Sequence, residues 1–186
     1  MKGRGPWIQT YTGRKFYPFD PQPEDINIKD IAYVLSGEYR FGGHCKPRIT
    51  VAQHSVLVSE RLPLGYDLAL WGLLHDASEA YVRDLNKPIK ETLPGYKYIE
   101  VRIQRAIADK FDLSWPMPSR IHEVDRRMCA TEAARCMRPV KAGFFESCGE
   151  EPKAYDDLTI RVWNSKKAMR KFLCRFAELR SVQSRG

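Results

Sequence analysis

The residues best suited to chemistry in this sequence are the adjacent pair His75 and Asp76, with Glu79 three residues later. The pair follows an apolar run, residues 68–74, of the kind that usually forms a core helix. Ionisable groups at the end of such a run are costly to bury unless they are paired or bound to a metal. Imidazole nitrogens and carboxylate oxygens are both good ligands for a divalent cation. We therefore predict that His75 and Asp76 are two ligands of a metal site.

A metal site built from helices needs ligands from several of them, because one helix face offers few inward positions. His54, in VAQHS, lies on the apolar face of a predicted helix, although a core histidine bonded to the backbone would fit the same pattern. Asp125, in HEVDRRM, shares a face with Ile121, Val124 and Met128, and its alternative fate is a salt bridge to a neighbouring arginine. An inward carboxylate needs a partner, and a metal is one. His54 and Asp125 are thus candidates for two more ligands.

The elements that must position these residues are predicted to be helices, and we expect one all-α domain over residues 1–186. Residues 7–19, rich in aromatic and β-branched side chains, predict a short hairpin or an extended arm. We divide the domain into an arm (1–23), a metal-binding helical core (24–138), and an irregular segment with a C-terminal helix (139–186). Residues 84–88 predict a turn. The predicted helices span residues 24–37, 50–61, 66–82, 96–111, 120–137 and 165–179.

The composition narrows the classes of partner. A chain of 186 residues with 43% hydrophobic and 29% charged residues suits one globular domain, and its net charge of +8 indicates an anionic partner. No recognition-helix or zinc-finger signature accompanies that charge, so we expect a phosphorylated small molecule and no specific nucleic acid. The sequence has neither a run of about 18 apolar residues nor a secretory signal, so we expect no membrane segment. Five cysteines without a CxxC pair predict reduced thiols and a cytoplasmic protein.

The order His54, then His75-Asp76, then Asp125, with Glu79 after the pair, resembles the HD-domain phosphohydrolase superfamily. The likeness is to its small bacterial 5'-deoxynucleotidases and to bacteriophage dATP triphosphohydrolases. It covers about residues 40–137, and VAQHS and HDASEAYVRDLNKPIK are its most specific parts. It implies a single all-α HD domain in which those two histidines and two aspartates hold one divalent ion. Two imidazoles and two carboxylates suit Mn²⁺, Co²⁺, Fe²⁺ or Zn²⁺, and Mg²⁺ also stays open.

The resemblance also implies roles for residues around the metal. Asp76 and Glu79 would be catalytic, with Glu79 positioning or activating the water that attacks phosphorus. A surface Glu79 paired with Arg83 at i+4 is the alternative. Arg40 would contact phosphate through its two-pronged guanidinium, although it could equally be one of many solvated cations.

Further residues are predicted to bind the substrate. Phe41 stands where relatives often place a tryptophan beside the base, and a phenyl ring can stack on a purine. Gly43 permits close approach of the backbone, whereas the phage enzymes carry a bulkier residue there, which leaves adenine selectivity open. His44, Lys87 and Lys90 are candidate phosphate donors, and each has a solvated side chain as its alternative.

The function we predict is hydrolysis of 2'-deoxynucleotides, with a lean to dATP triphosphohydrolase activity that releases deoxynucleoside and triphosphate. The lean rests on the basic balance, on Lys87, and on the likeness of the N-terminal segment to the phage enzymes. A 5'-deoxynucleotidase acting on dNMPs is the first alternative, and a non-catalytic nucleotide or nucleic-acid binding module is the second. Cyclic-nucleotide and alarmone hydrolases share this ligand set. Since relatives commonly assemble, we also expect a homo-oligomer.

Overall fold

The computed structural model describes residues 3–64, 66–145 and 152–183, and its regular elements are almost entirely helical, as predicted. Two short antiparallel strands, β1 (Ile8–Gln9) and β2 (Lys15–Phe16), form an N-terminal hairpin with Ile8 opposite Phe16. The helices are α1 (Ile28–Gly37), α2 (Val51–Glu60), α3 (Tyr66–Leu74), α4 (Glu79–Val82), α5 (Lys87–Thr92), α6 (Pro94–Lys110), α7 (Ser119–Cys136) and α8 (Ser165–Gln183).

The hairpin is tied to α1 by a buried carboxylate. Asp30, 1% exposed, accepts hydrogen bonds from the backbone N–H of Thr12 (2.6 Å) and from its hydroxyl (2.9 Å). Phe16, at the end of the hairpin, is fully buried and stacks on Tyr81 with ring centroids 3.9 Å apart. The predicted arm is therefore a hairpin that packs against the core.

The centre of the bundle is formed by α2 and α3, with α8 packed against both and against α1. Thr50 caps the start of α2, because its side chain accepts a hydrogen bond from the Gln53 N–H. Trp71 on α3 is fully buried and donates its indole N–H to the carbonyl of Ser114 at 2.9 Å. Gly72, one residue on, lies so close to α2 that an added Cβ would come within 3.1 Å of the Ser59 Cα. Because glycine has no side chain, Gly72 allows α2 and α3 to approach closely.

The prediction of one continuous helix over residues 66–82 is wrong. Helix α3 ends at Leu74, and α4 begins at Glu79. Between them, Ala77 N–H donates to Leu74 O and Glu79 N–H donates to Asp76 O, both at 3.0 Å. Hydrogen bonds between residues three apart wind the chain more tightly than an α-helix does. The break therefore falls at His75 and Asp76 themselves.

Three smaller expectations also need correction. Residues 87–92 form the short helix α5 rather than part of a turn, and Pro88 in its first turn fits a helix start. Helix α6 begins at Pro94, two residues before the predicted start. On α7, Ile121, Val124 and Met128 are buried as expected. The same helical spacing predicts an inward Ala134, but Ala134 is exposed and Ala133 is buried instead.

Within the described residues, no helix has the combination of length and apolar composition needed to cross a membrane. Among the described residues, Cys45, Cys129, Cys136 and Cys174 form no disulfide, whereas Cys148 lies outside the described residues. Burial raises the pKa of the Cys136 thiol to about 11, so that thiol is protonated at neutral pH.

Candidate metal centre

Four side chains that the sequence predicted as ligands meet at one point. His54 comes from α2, His75 and Asp76 from the turn after α3, and Asp125 from α7. The Nε2 atom of His54 lies 3.2 Å from Nε2 of His75 and 3.0 Å from Oδ1 of Asp125. The Nε2 atom of His75 lies 3.2 Å from Oδ2 of Asp76. The two longer separations, His54 Nε2 to Asp76 Oδ2 and His75 Nε2 to Asp125 Oδ1, are both 3.6 Å.

These separations fit ligands of a single divalent cation. Metal-to-ligand distances of about 2.0–2.2 Å place neighbouring ligand atoms about 3.0–3.6 Å apart in octahedral or tetrahedral geometry. His54, His75 and Asp76 form a group whose ligand atoms all lie within 4.8 Å of one another. Asp125 lies outside that group of three, but its Oδ1 is 3.0 Å from Nε2 of His54 and 3.6 Å from Nε2 of His75. The donor set therefore fits the metal that the sequence predicted.

The outer nitrogen of each imidazole explains why the inner one is free to bind. The Nδ1 atom of His54 lies 2.8 Å from a carboxylate oxygen of Glu132, and Nδ1 of His75 lies 2.8 Å from the carbonyl oxygen of Gly72. Both oxygens are acceptors, so each neutral ring carries its proton on Nδ1 and directs the lone pair of Nε2 inward. The two Nε2 atoms are 3.2 Å apart, and when both rings are neutral their lone pairs repel each other. A cation between them turns that repulsion into attraction.

The electrostatics of the site also favour positive charge. Burial lowers the pKa of His75, but the carboxylates of Asp76 and Asp125 outweigh it and raise that pKa well above its usual value. Burial likewise opposes ionisation of Asp125, yet its hydrogen bonds with His54 and His75 hold its pKa well below the usual range. The pKa of Asp76 is lowered in the same way, with His75 as the main cause against burial. Both aspartates are therefore ionised at neutral pH.

Glu79, the predicted water-positioning residue, is buried at the first position of α4 and is 5% exposed. Its Oε2 atom has no hydrogen-bond partner among the described residues. Burial, followed by the charges of Asp76 and Asp84, raises the pKa of Glu79 well above its usual value. Arg83, its partner in the surface alternative, instead lies with Nη1 2.7 Å from Oε1 of Glu38. Glu79 is thus a buried acid beside the ligands and not a solvated surface residue.

Arg40, the predicted phosphate contact, is held against the acids of the site. Its side chain is 12% exposed, and Nη1 lies 3.5 Å from Oδ2 of Asp76 while Nη2 lies 3.9 Å from Oδ1 of Asp125. Its Nε donates to Oε2 of Glu132 at 3.2 Å. Desolvation alone would lower the pKa of Arg40, but Glu132 and the other neighbouring groups raise it. The guanidinium therefore stays charged beside the metal ligands.

The three substrate candidates after Arg40 lie in a tight turn, Arg40–Gly43, and directly behind it. Phe41 adopts a left-handed backbone conformation (φ 59°) and is partly buried, with its ring 6.3 Å from that of Phe144. Gly43 has φ +81°, and a Cβ there would meet nothing within 4 Å. His44 is exposed where the turn ends. The turn presents these residues beside Arg40.

The two lysine candidates differ in their surroundings. Lys90 on α5 donates from Nζ to Oε1 of Glu100 at 2.5 Å, and its side chain is 26% exposed. Desolvation lowers the pKa of Lys90, but the bond to Glu100 outweighs it and raises that pKa. Lys87 is exposed at the start of the same helix. Lys90 is therefore partly neutralised by Glu100.

A cavity of about 250 Å³ adjoins this turn. Its lining includes Gly42 and Gly43 from the turn, Glu38 before it, and Arg83 and Asp84 after α4. A larger cavity, about 360 Å³, lies against α6 and shares no residue with the predicted site. The smaller cavity is thus the one next to the candidate substrate residues.

The residue that sequence reasoning missed is Glu132. It is fully buried on α7 and contacts both His54 and Arg40. Glu132 lies two helical turns after Asp125, so both share one face of α7. That spacing was the available signal, but a glutamate in ATEAAR also fits an exposed helix position. Gly72 was missed as well, because a glycine in an apolar run does not reveal which helix it faces.

Comparison with known proteins places the chain in a family. No family model matches it. The uncharacterized protein YfdR of Escherichia coli (strain K12) is 40% identical over 126 residues, which are 68% of this chain and 70% of YfdR. The uncharacterized protein RCAP_rcc00048 of Rhodobacter capsulatus is 32% identical over 149 residues, which are 76% of each chain. The chain therefore belongs to the family that includes YfdR and RCAP_rcc00048.

Proposed function

We propose that this protein is a metal-dependent phosphohydrolase of 2'-deoxynucleotides, acting on dATP or a similar purine deoxynucleoside triphosphate. The observation that carries the proposal is the convergence of His54, His75, Asp76 and Asp125. The two Nε2 atoms lie 3.2 Å apart, and each lies 3.0–3.6 Å from an oxygen of both aspartates. The buried acid Glu79 and the buried cation Arg40 beside them support hydrolysis of an anionic substrate. The resemblance of this arrangement to HD-domain phosphohydrolases supplies the substrate class.

Different side chains of the protein would bind the metal, bind the phosphate and position the water. His54, His75, Asp76 and Asp125 would hold the divalent ion, which when bound polarises a phosphoryl oxygen and acidifies water. Arg40 would donate to phosphate oxygens, since its guanidinium already lies beside two of the ligand carboxylates. Glu79 would orient the attacking water and hold its proton on the carboxylate. Phe41, Gly43 and His44, together with Lys87, would contact the rest of the substrate.

A monophosphate substrate is the second candidate, and the ion pair between Lys90 and Glu100 favours it. A triphosphate spreads its charge over more oxygens than a monophosphate and needs more cations to balance it. Lys90 is already balanced by a carboxylate, which leaves less positive charge for a long phosphate chain. A 5'-deoxynucleotidase would need only the cation beside the metal.

One assay separates the two candidates. Purified protein is incubated with dATP and, separately, with dAMP, each with Mn²⁺ or Co²⁺, and the phosphorus product is identified by ³¹P NMR. The proposal expects triphosphate from dATP. Orthophosphate from dAMP alone would replace it with the deoxynucleotidase. Absence of hydrolysis, together with nucleotide or nucleic-acid affinity that Asp76→Ala retains, would support a non-catalytic binding module.

We also propose a cellular compartment and an oligomeric state for the enzyme. Deoxynucleotides and free thiols are typical of the cytoplasm, which is the compartment we propose. A homo-oligomer is proposed too, and size-exclusion chromatography with light scattering tests it.

A further inference from the structure

Glu132 is a fully buried carboxylate whose two oxygens serve different partners. Its Oε1 lies 2.8 Å from Nδ1 of His54, and its Oε2 accepts a hydrogen bond from Nε of Arg40 at 3.2 Å. The side chains of Glu132 and His54 are both 0% exposed, and that of Arg40 is 12% exposed. One carboxylate therefore bridges a metal ligand and the cation beside the metal.

Each contact fixes a different property of its partner. The bond to Nδ1 of His54 keeps the ring proton on the outer nitrogen and fixes the plane of the ring. The negative charge also increases the electron density available at Nε2, the atom that would bind metal. The bond to Nε of Arg40 leaves the outer nitrogens of the guanidinium, Nη1 and Nη2, directed at Asp76 and Asp125.

A purely structural role would also explain a buried carboxylate between a histidine and an arginine, since buried ionised groups must be paired. The geometry indicates more than charge pairing, because the side chains of His54 and Arg40 both approach the same oxygen of Asp125. Nε2 of His54 lies 3.0 Å from Oδ1 of Asp125, and Nη2 of Arg40 lies 3.9 Å from the same oxygen. Moving Glu132 would therefore displace the ligand ring and the guanidinium together.

We propose that Glu132 is a positioning residue that sets the orientation of His54 toward the metal and of Arg40 toward phosphate at the same time. The inference rests on the proposed function and extends it, because it couples metal binding to substrate binding through one side chain. Removing the bridge should weaken both.

The test is Glu132→Gln, which keeps the size of the side chain. The amide oxygen can still accept the Nδ1 proton of His54, but the amide NH₂ then faces Nε of Arg40, donor against donor. We expect affinity for Mn²⁺ alone, measured by calorimetric titration, to fall about 10- to 100-fold. We also expect KM for the nucleotide, at saturating Mn²⁺, to rise more than kcat falls, because Arg40 loses its alignment.

A second variant, Glu132→Asp, keeps the charge but is too short to keep both contacts. It should lie between the wild type and Glu132→Gln in Mn²⁺ affinity and in KM, and it tests the proposal even where the glutamine variant folds poorly. Asp30→Asn is the matched control, because it neutralises another buried carboxylate, one that accepts hydrogen bonds from Thr12 of the hairpin, and it should leave Mn²⁺ affinity unchanged.

The outcomes separate this inference from the proposed function. Wild-type protein that neither binds Mn²⁺ nor hydrolyses a deoxynucleotide defeats the proposed function. Wild-type protein that does both, with Glu132→Gln and Glu132→Asp matching its Mn²⁺ affinity and KM within twofold, overturns the positioning role alone. Loss of thermal stability in both variants without a change in Mn²⁺ affinity or KM has the same meaning, since it assigns Glu132 a purely structural role.

Discussion

Two regions of this molecule bury carboxylates, and they do so in opposite ways. In the N-terminal clasp, which comprises the hairpin, residues 20–25 and Asp30, the protein supplies the donors: Thr12 satisfies Asp30, and Arg4 binds both Asp20 and Asp25. In the candidate metal centre, four acids lie around a single guanidinium and two imidazoles. They are Asp76, Asp125, Glu132 and Glu79.

The difference teaches how a structural acid can be told from a functional one. An acid whose donors all come from the protein is complete when the chain folds. In the candidate metal centre, Asp76 and Asp125 raise the pKa of His75, and Oε2 of Glu79 has no hydrogen-bond partner among the described residues. We expect a bound cation to complete such a cluster.

The largest contrast is between Asp76→Asn and Asp30→Asn, two neutralisations of the same kind. We expect Asp76→Asn to lower nucleotide turnover at least about 100-fold, because a lost ligand costs more than a lost supporting contact. Asp30→Asn should lower the free energy of unfolding by about 1–3 kcal/mol and leave the turnover of the folded protein intact. Turnover assays and urea denaturation measure the two effects. Equal loss of turnover in both variants would contradict the contrast.

The second prediction tests the close approach of α2 and α3 that brings the histidines together. In Gly72→Ala, the new Cβ would lie 2.4 Å from Cδ1 of Leu62 and 3.1 Å from Cα of Ser59. We expect a loss of about 1–3 kcal/mol in the free energy of unfolding, together with weaker Mn²⁺ binding as His75 moves from His54. Gly95→Ala on α6 is the matched control, since nothing lies within 4 Å of its Cβ position. The control should be neutral or slightly stabilising; identical behaviour of the two variants would argue against helix contact as the cause.

The third prediction concerns the cation itself. Mn²⁺ at about 100 times its Kd should stabilise the fold by about 2.7 kcal/mol. For a chain of this size, that raises Tm by roughly 5–10 °C. The rise should be reversed by a chelator and absent in Asp76→Asn, whereas Asp30→Asn should keep it. Differential scanning fluorimetry with Mn²⁺ and with EDTA gives the measurement, and an equal rise in Asp76→Asn would place the ion elsewhere.

The smallest expected effect concerns Glu38, a buried acid that belongs neither to the N-terminal clasp nor to the candidate metal centre. Glu38 is 9% exposed, while its neighbour Arg83 is 72% exposed at the side chain. Burial raises the pKa of Glu38 above its usual value, against the opposing charge of Arg83. The folded state therefore holds a proton that the unfolded state releases, so stability falls as pH rises above the usual glutamate pKa through the raised one.

Glu38→Gln removes that titration. The variant should gain Tm relative to the wild type at pH 7 and change little at pH 4, where the glutamate is protonated in both states. Thermal melts at the two pH values check this. A gain of equal size at both would show that packing, and not ionisation, is responsible.

Much of the fold could be predicted from the sequence because it depends on local patterns. The apolar periodicity of α1, α2, α7 and α8, the Thr50 cap and the hairpin around Gly13 are all features of neighbouring residues. The break after Leu74 could not be predicted, because residues 66–82 keep a helical pattern throughout. The hydrogen bond from Nδ1 of His75 to Gly72 O and the packing of α3 on α2 accompany that break.

The candidate site divides in the same way. The types and order of residues in the sequence determined that His54, His75, Asp76 and Asp125 were the ligand candidates, because few side chains bind divalent cations and apolar neighbours place these four inward. Only the tertiary structure decided that Glu132 would bridge His54 and Arg40, that Lys90 would pair with Glu100, and that Gly72 would let two helices meet. The physical reason is that residue chemistry and helix period are local properties. Which distant group neutralises a buried charge depends on which helices pack together.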